Sequence, residues 1–170
     1  GFLFFLIVLF IFYLEKWHDK ITLKSTIILG LLAGLISLVR PTNALILILI
    51  PLWRVGKWKD LSVNLKNIFK NWYQIILMAA MFILVWLPQL VYWKVFSGSF
   101  FYFSYDEAGG KFFFNNPQIL KVLFSYEKGW FIYTPLMFFA TIGLFFLRLK
   151  KIKLSIPIAV FLVLIIYILS

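Results

Sequence analysis

Few residues in this chain have side chains capable of chemistry, and they collect in three short stretches. The first is Arg40, Pro41, Thr42 and Asn43, set between apolar runs. An Arg at the end of an apolar helix is costly to bury and must snorkel to an interface or meet a partner. Its planar fork grips a phosphate or carboxylate in two places at once. Thr42 and Asn43 can add hydrogen bonds to such a ligand or cap the following helix. The plainer account is an Arg bonded to lipid headgroups or helix ends. The second stretch is residues 102–111 (YFSYDEAGGK). Its adjacent carboxylates, Asp106 and Glu107, have the chemistry to hold a divalent cation or to work as an acid/base pair, with Lys111 close in sequence. They need a third ligand, and consecutive side chains often diverge, so a solvated loop accounts for them as well. The third stretch is residues 124–135 (FSYEKGWFIYTP), where Glu127 and Lys128 precede an apolar run. They suit the rim of a cavity, and ordinary helix-start chemistry explains them equally.

Other chemistries are excluded by composition. There is no cysteine, which removes disulfides, thiolate catalysis and Cys-ligated metals. The single His18 cannot form a metal site by itself, and no metal site is assigned. No phosphate-cradling Gly loop, zinc motif or nucleophile elbow is present. The net charge of +11 raises nucleic acid as a partner. The Lys and Arg residues, however, fall in the gaps between apolar runs, as membrane topology requires, and no basic face interleaved with stacking aromatics exists outside those runs. Nucleic acid is set aside on that ground.

The elements that position these residues are apolar helices. The chain is 64% hydrophobic and 14% charged over 170 residues, against about 45–50% and about 25% for a soluble domain. The apolar residues form blocks near the length that crosses a bilayer as a helix. The expected fold is therefore all-α: a polytopic transmembrane helical bundle with a short helical hairpin and one sizeable extracytoplasmic loop. The expected spans are 1–14, 25–39, 44–53, 73–95, 129–147 and 154–170, all in one transmembrane domain. The connector 54–72 carries Arg54, Lys57, Lys59, Lys66 and Lys70, and the turn 148–153 carries Arg148, Lys150, Lys151 and Lys153. By the positive-inside rule both are cytoplasmic, which puts loop 96–128 outside. Residues 25–53 read either as two short helices turning at 40–43 or as one span broken at Pro41. The hairpin is favoured because it places residues 15–24, with three Lys and two acids, on the basic side. Trp and Tyr residues cluster where the two interfaces fall. Gly30 and Gly34 have the small-xxx-small spacing of close helix packing. Position 1 is Gly, and neither terminal apolar run has a polar tail. Both ends are expected to be cut from a longer chain.

Two passages add a resemblance. GLLAGLISLVRPTN (30–43) resembles a segment of bacterial membrane glycosyltransferases of the C superfamily, in which small and apolar residues end in Arg-Pro-Thr or Lys-Pro-Thr. Residues 92–143 contain YWKVFSGSFFYFSYDEAGG and FFFNNPQILKVLFSYEKGWFIYTPLMFFATIG. They are similar to the outer-loop and helix pattern of the polyprenyl-phosphate-dependent sugar transferases related to protein O-mannosyltransferases and aminoarabinose transferases. The resemblance implies transfer of a sugar from a polyprenyl phosphate carrier to a lipid, glycan or protein acceptor at the outer face of the bacterial inner membrane. It implies a catalytic Asp, as base or metal ligand, in a first outer loop upstream of residue 1. No catalytic residue is therefore assigned, the chain by itself is not expected to turn over, and any divalent cation belongs to the full-length protein. The candidate substrate-binding residues are Arg40, Thr42 and Asn43 for the carrier phosphate, and Asp106, Glu107 and Lys111 for the acceptor cleft. The implied partners are the lipid-linked sugar donor, membrane lipids and the remainder of the same chain. The competing readings are a flippase or permease for a lipid-linked substrate and a non-catalytic membrane scaffold. The scarcity of ionisable residues inside the spans counts against an ion-coupled carrier.

Overall fold

The computed structural model describes residues 1–101, 118–126, 129–149 and 155–169. Among these the chain is all-helical, with no strand. Helices α1 (Phe2–Asp19) and α2 (Leu23–Val39) are followed by a 3-10 helix (Pro41–Ile48) and the single turn α3 (Leu49–Leu52). Then come α4 (Trp58–Lys70), α5 (Trp72–Ser97), the short α6 (Ile119–Phe124) and α7 (Trp130–Tyr133), α8 (Pro135–Leu149) and α9 (Ser155–Leu169). The chain divides into two compact units. One is Gly1–Leu47 with Leu65–Lys111, and the other is Ile48–Asn64 with Phe112–Ser170.

In the first unit α1 and α2 form an antiparallel pair. Leu6, Phe10, Leu14 and Trp17 recur at helical spacing on α1 and are all buried. That stripe is the face a helix turns to its neighbour. Trp17 Nε1 donates to Thr26 Oγ1 at 2.9 Å, and Thr26 Oγ1 donates on to the Thr22 carbonyl at 3.0 Å. The buried indole thus keeps its partner, which it must do to avoid an unmet donor in an apolar core. Thr22 caps α2, its hydroxyl accepting from Ser25 N.

α2 then packs along α5, and the contacts give the direction. A Cβ on Gly30 would meet Met78 and Met81, one on Gly34 would meet Phe82 and Val85, and Trp86 Nε1 donates to Ser37 Oγ at 2.7 Å. Partners advance together along both helices, so α2 and α5 run parallel. The Gly30/Gly34 spacing is the device that lets the two backbones come this close. α5 is 26 residues long, about 39 Å. Among the described residues it is the one helix long and apolar enough, by length and composition, to cross a membrane. It runs uninterrupted past Pro88 and ends on Gly98, at φ 73, whose N–H donates to the Lys94 carbonyl. That left-handed conformation is the one glycine adopts without steric cost.

Three stretches differ from the sequence expectation. The stretch 44–53 is not one α-helix: it continues the 3-10 run Pro41–Ile48, and only Leu49–Leu52 is α-helical. The connector 54–72 contains the amphipathic helix α4, started by Asp60, whose Oδ2 accepts from Gly56 N at 2.9 Å and Lys57 N at 3.0 Å. The stretch 129–147 is broken at Thr134, which has φ −132 and ψ 77. A residue before proline is pushed out of the helical region, and Pro135 begins the next helix.

In the second unit α9 packs against α3, α6 and α8. Asn64 Nδ2 donates to the carbonyls of Pro51 at 3.2 Å and Trp53 at 2.7 Å, tying α4 to the end of α3. The rings of Phe124, Phe131 and Phe138 form a ladder at 5.3 and 5.9 Å. Gly129 donates to the Ser125 carbonyl at 2.8 Å, and a Cβ there would run into that same oxygen. Tyr133 Oη donates to the Tyr126 carbonyl at 2.7 Å.

Candidate functional site

Arg40 terminates α2 because Pro41 follows it. The residue before proline leaves the helix, and Arg40 is extended at φ −151 and ψ 125. Its side chain is exposed. The last carbonyls of a helix have no partner within the helix, and Asn43 supplies one: its Nδ2 donates to the Ile36 carbonyl at 3.3 Å. Asn43 N also donates to the Arg40 carbonyl at 2.9 Å. Asn43 therefore caps the helix behind it rather than the one ahead. It closes a tight turn from which the guanidinium projects. Thr42 is half-buried in the same turn.

The depth of this turn follows from the parallel packing. Ser37 and Trp86 are bonded 49 residues apart. The same offset sets Arg40 level with Gln89. α5 continues past Gln89 to Ser97, about 12 Å or two turns further. α2 thus ends about two turns before α5 does, and the step between the two helix ends is the candidate recess. Gln89 and Trp93 stand three and seven residues after Trp86. They fall on the stripe of α5 that faces α2 lower down, and both are half-buried. The Trp86 and Trp93 rings meet edge-on at 6.1 Å. By register, Arg40, the Gln89 carboxamide and the Trp93 indole lie along this step. These are the groups that bind a phosphate, a hydroxyl and the apolar face of a sugar or prenyl unit.

Gln89 and Trp93 do not stand out in the sequence as site residues. Trp93 reads there as an interfacial anchor. The signal was the three- and seven-residue spacing from Trp86, which acquires meaning only once Ser37 is known to be the partner of Trp86. Asp106, Glu107 and Lys111, with Glu127 and Lys128, lie outside the described residues. Among the described residues no three His, Asp or Glu side chains gather where a cation would bind.

A concavity lies at the other end of the same unit. Lys16, Lys20 and Lys24 line a cavity of about 320 Å³ with Tyr13, Thr22 and Ser25. No family profile, curated protein or solved structure matches this chain.

Proposed function

We propose that the chain is the membrane-embedded part of a glycosyltransferase that uses a polyprenyl-phosphate-linked sugar, and that the recess at Arg40 receives the carrier phosphate. The observation that carries the reading is the position of Arg40. It sits two helical turns inside the end of an apolar helix long enough to cross a bilayer. A charge at that depth must meet a partner or snorkel to the interface. A lipid-linked phosphate brings the complementary charge to that depth, with its prenyl chain beside the apolar helices and its sugar toward Trp93. In this reading Arg40 binds the phosphate in two places, Gln89 hydrogen-bonds the sugar, and Trp93 covers its apolar face. The arrangement positions the donor, and the catalytic base comes from elsewhere in the protein.

The membrane reading has its own support. The apolar window of α5 is 6% buried, whereas the core helix of a soluble protein is mostly buried. Ile76, Ile83, Leu84, Leu87 and Val91 are exposed along it, a surface suited to lipid. Since α2 and α5 run parallel, the chain from Arg40 to Asn71 must return from one end of the unit to the other. That supports a multi-pass path with residues 15–24 and the start of α5 together on the basic, cytoplasmic side and Arg40 toward the outer side of a bacterial inner membrane.

The test is transfer by the full-length protein in membranes, from radiolabelled polyprenyl-phosphate sugars, with label followed into lipid, glycan and protein. Arg40→Ala should lose transfer, and Arg40→Lys should restore part of it, since Lys gives charge without the fork. Transfer unchanged in Arg40→Ala refutes the role of Arg40. Labelled lipid that changes leaflet without transfer refutes the transferase and identifies a flippase.

A further inference from the structure

The lysine-lined cavity between α1 and α2 lies at the opposite end of its unit from Arg40, so the donor recess does not account for it. Lys16, Lys20 and Lys24 all line one space of about 320 Å³, and among the described residues its lining contains no carboxylate. Glu15 and Asp19, the acids of the same turn, have partners of their own and do not line it. Like charges gathered in one concavity repel, and an anion between them converts the repulsion to attraction. The hydroxyls of its floor are bonded to one another and to backbone. Ser25 is buried, its hydroxyl 2.8 Å from that of Thr22 and donating to the Thr22 carbonyl at 3.0 Å. Lys ammoniums are compact point charges suited to a phosphate.

A second observation shows what kind of phosphate. Phe5, Val8 and Phe12 are exposed on α1. With Lys16 they recur three or four residues apart, so all four form one stripe of the helix. Lys16 Nζ lies 4.3 Å from the centre of the Phe12 ring. The cationic cavity is thus the head of an apolar track. A ligand that matches both parts has an anionic phosphate head and a hydrocarbon tail. A zwitterionic head matches poorly, because its own ammonium meets three others.

We propose that this cavity is a site for the headgroup of an anionic phospholipid, held by Lys16, Lys20 and Lys24 with an acyl chain along Phe5, Val8 and Phe12. The inference rests on the membrane reading above and is independent of the transferase reading. The site ties the cytoplasmic end of the α1–α2 pair to the negatively charged leaflet, which polybasic surfaces favour.

The experiment uses the full chain purified in a mild detergent, titrated with phosphatidylglycerol, phosphatidylcholine or inorganic phosphate, with bound molecules counted by native mass spectrometry. Saturable retention of phosphatidylglycerol, with phosphatidylcholine and inorganic phosphate retained weakly, is expected. Each Lys→Gln change should weaken it about 5-fold, and Lys16→Gln, Lys20→Gln and Lys24→Gln together about 100-fold. The corresponding triple Lys→Arg variant keeps the charges and should retain the lipid. Phe12→Ser should weaken the lipid and leave inorganic phosphate unaffected. Equal retention of the two lipids, or undiminished phosphatidylglycerol in the Gln variant, overturns the site. Inorganic phosphate bound as tightly as the lipid overturns the lipid assignment. Extraction of the chain from membranes by alkaline carbonate refutes the membrane reading itself, so the two failures are told apart.

Discussion

Replacing Gly30 by Ala tests the helix pairing on which the candidate site depends. A Cβ at Gly30 would stand 2.5 Å from the Met78 carbonyl oxygen, 2.8 Å from Met81 Cβ and 3.2 Å from the Met78 carbonyl carbon. An ordinary carbon–oxygen contact is about 3.3–3.6 Å, so the shortfall is close to 1 Å. The obstructing atom is backbone held in the ladder of α5, and it cannot swing aside as a side-chain end would. The helices must therefore separate. A gap of about 0.5–1 Å forfeits about a quarter to a half of each contact across the interface. Overpacking of this kind costs about 1–3 kcal/mol, and the better helix propensity of Ala returns up to about 1 kcal/mol. The net expectation is a loss of about 1–2 kcal/mol. Gly143 supplies the internal control. It lies within α8 with nothing within 4 Å of the added Cβ, so Gly143→Ala should be neutral or stabilising by up to about 1 kcal/mol. The assay is unfolding of the full chain in mixed micelles by titration with a denaturing detergent, followed by far-ultraviolet circular dichroism. Gly30→Ala unfolding at or above the wild-type midpoint refutes the close approach of α2 and α5. Equal destabilisation by Gly143→Ala shows that the effect does not come from packing.

Other outcomes follow from single residues. Trp93→Ala should lower transfer by the full-length enzyme mainly through a raised KM for the lipid-linked sugar, because the indole is assigned to binding; an unchanged KM removes Trp93 from the recess. Asp60→Ala should destabilise the start of α4 by about 1 kcal/mol through loss of its cap on Gly56 N and Lys57 N, read as faster hydrogen exchange in the first turn of α4. Gln74 is buried, and among the described residues nothing donates to its Oε1. Gln74→Met should leave stability unchanged or raise it by about 1 kcal/mol, and a large loss in the same detergent titration would show that the amide has a partner. Gly129→Ala should destabilise the α6–α7 turn, since the added Cβ meets the Ser125 backbone; an unaltered unfolding midpoint would show that the turn yields.

Much of the local structure was legible in the residues. Arg40-Pro41 announces the end of α2, because proline disfavours the helical region for the residue before it. The same rule applies at Thr134-Pro135, where it was passed over in favour of one continuous span. Helix α4 was also legible: Leu61, Leu65, Ile68 and Phe69 recur at helical spacing, with Lys59, Lys66 and Lys70 turned away from them. The part of the candidate site that was legible is Arg40 with its turn. The part that was not is Gln89 and Trp93.

The sequence by itself determined that the chain is helical and apolar, that α2 stops before Pro41, and that Gly30 and Gly34 can admit a close neighbour. Those properties depend on composition, on proline and glycine stereochemistry, and on spacing within one element. Only the tertiary structure decided which helix that neighbour is, that it runs parallel, and that Ser37 bonds Trp86 across 49 residues. It also decided that Lys16, Lys20 and Lys24 share one cavity. The physical reason is that α2 and α5 are apolar nearly all round. A helix apolar on every side does not mark the face it will bury. The partner is then selected by shape, where a glycine pair meets a carbonyl and a tryptophan finds a hydroxyl.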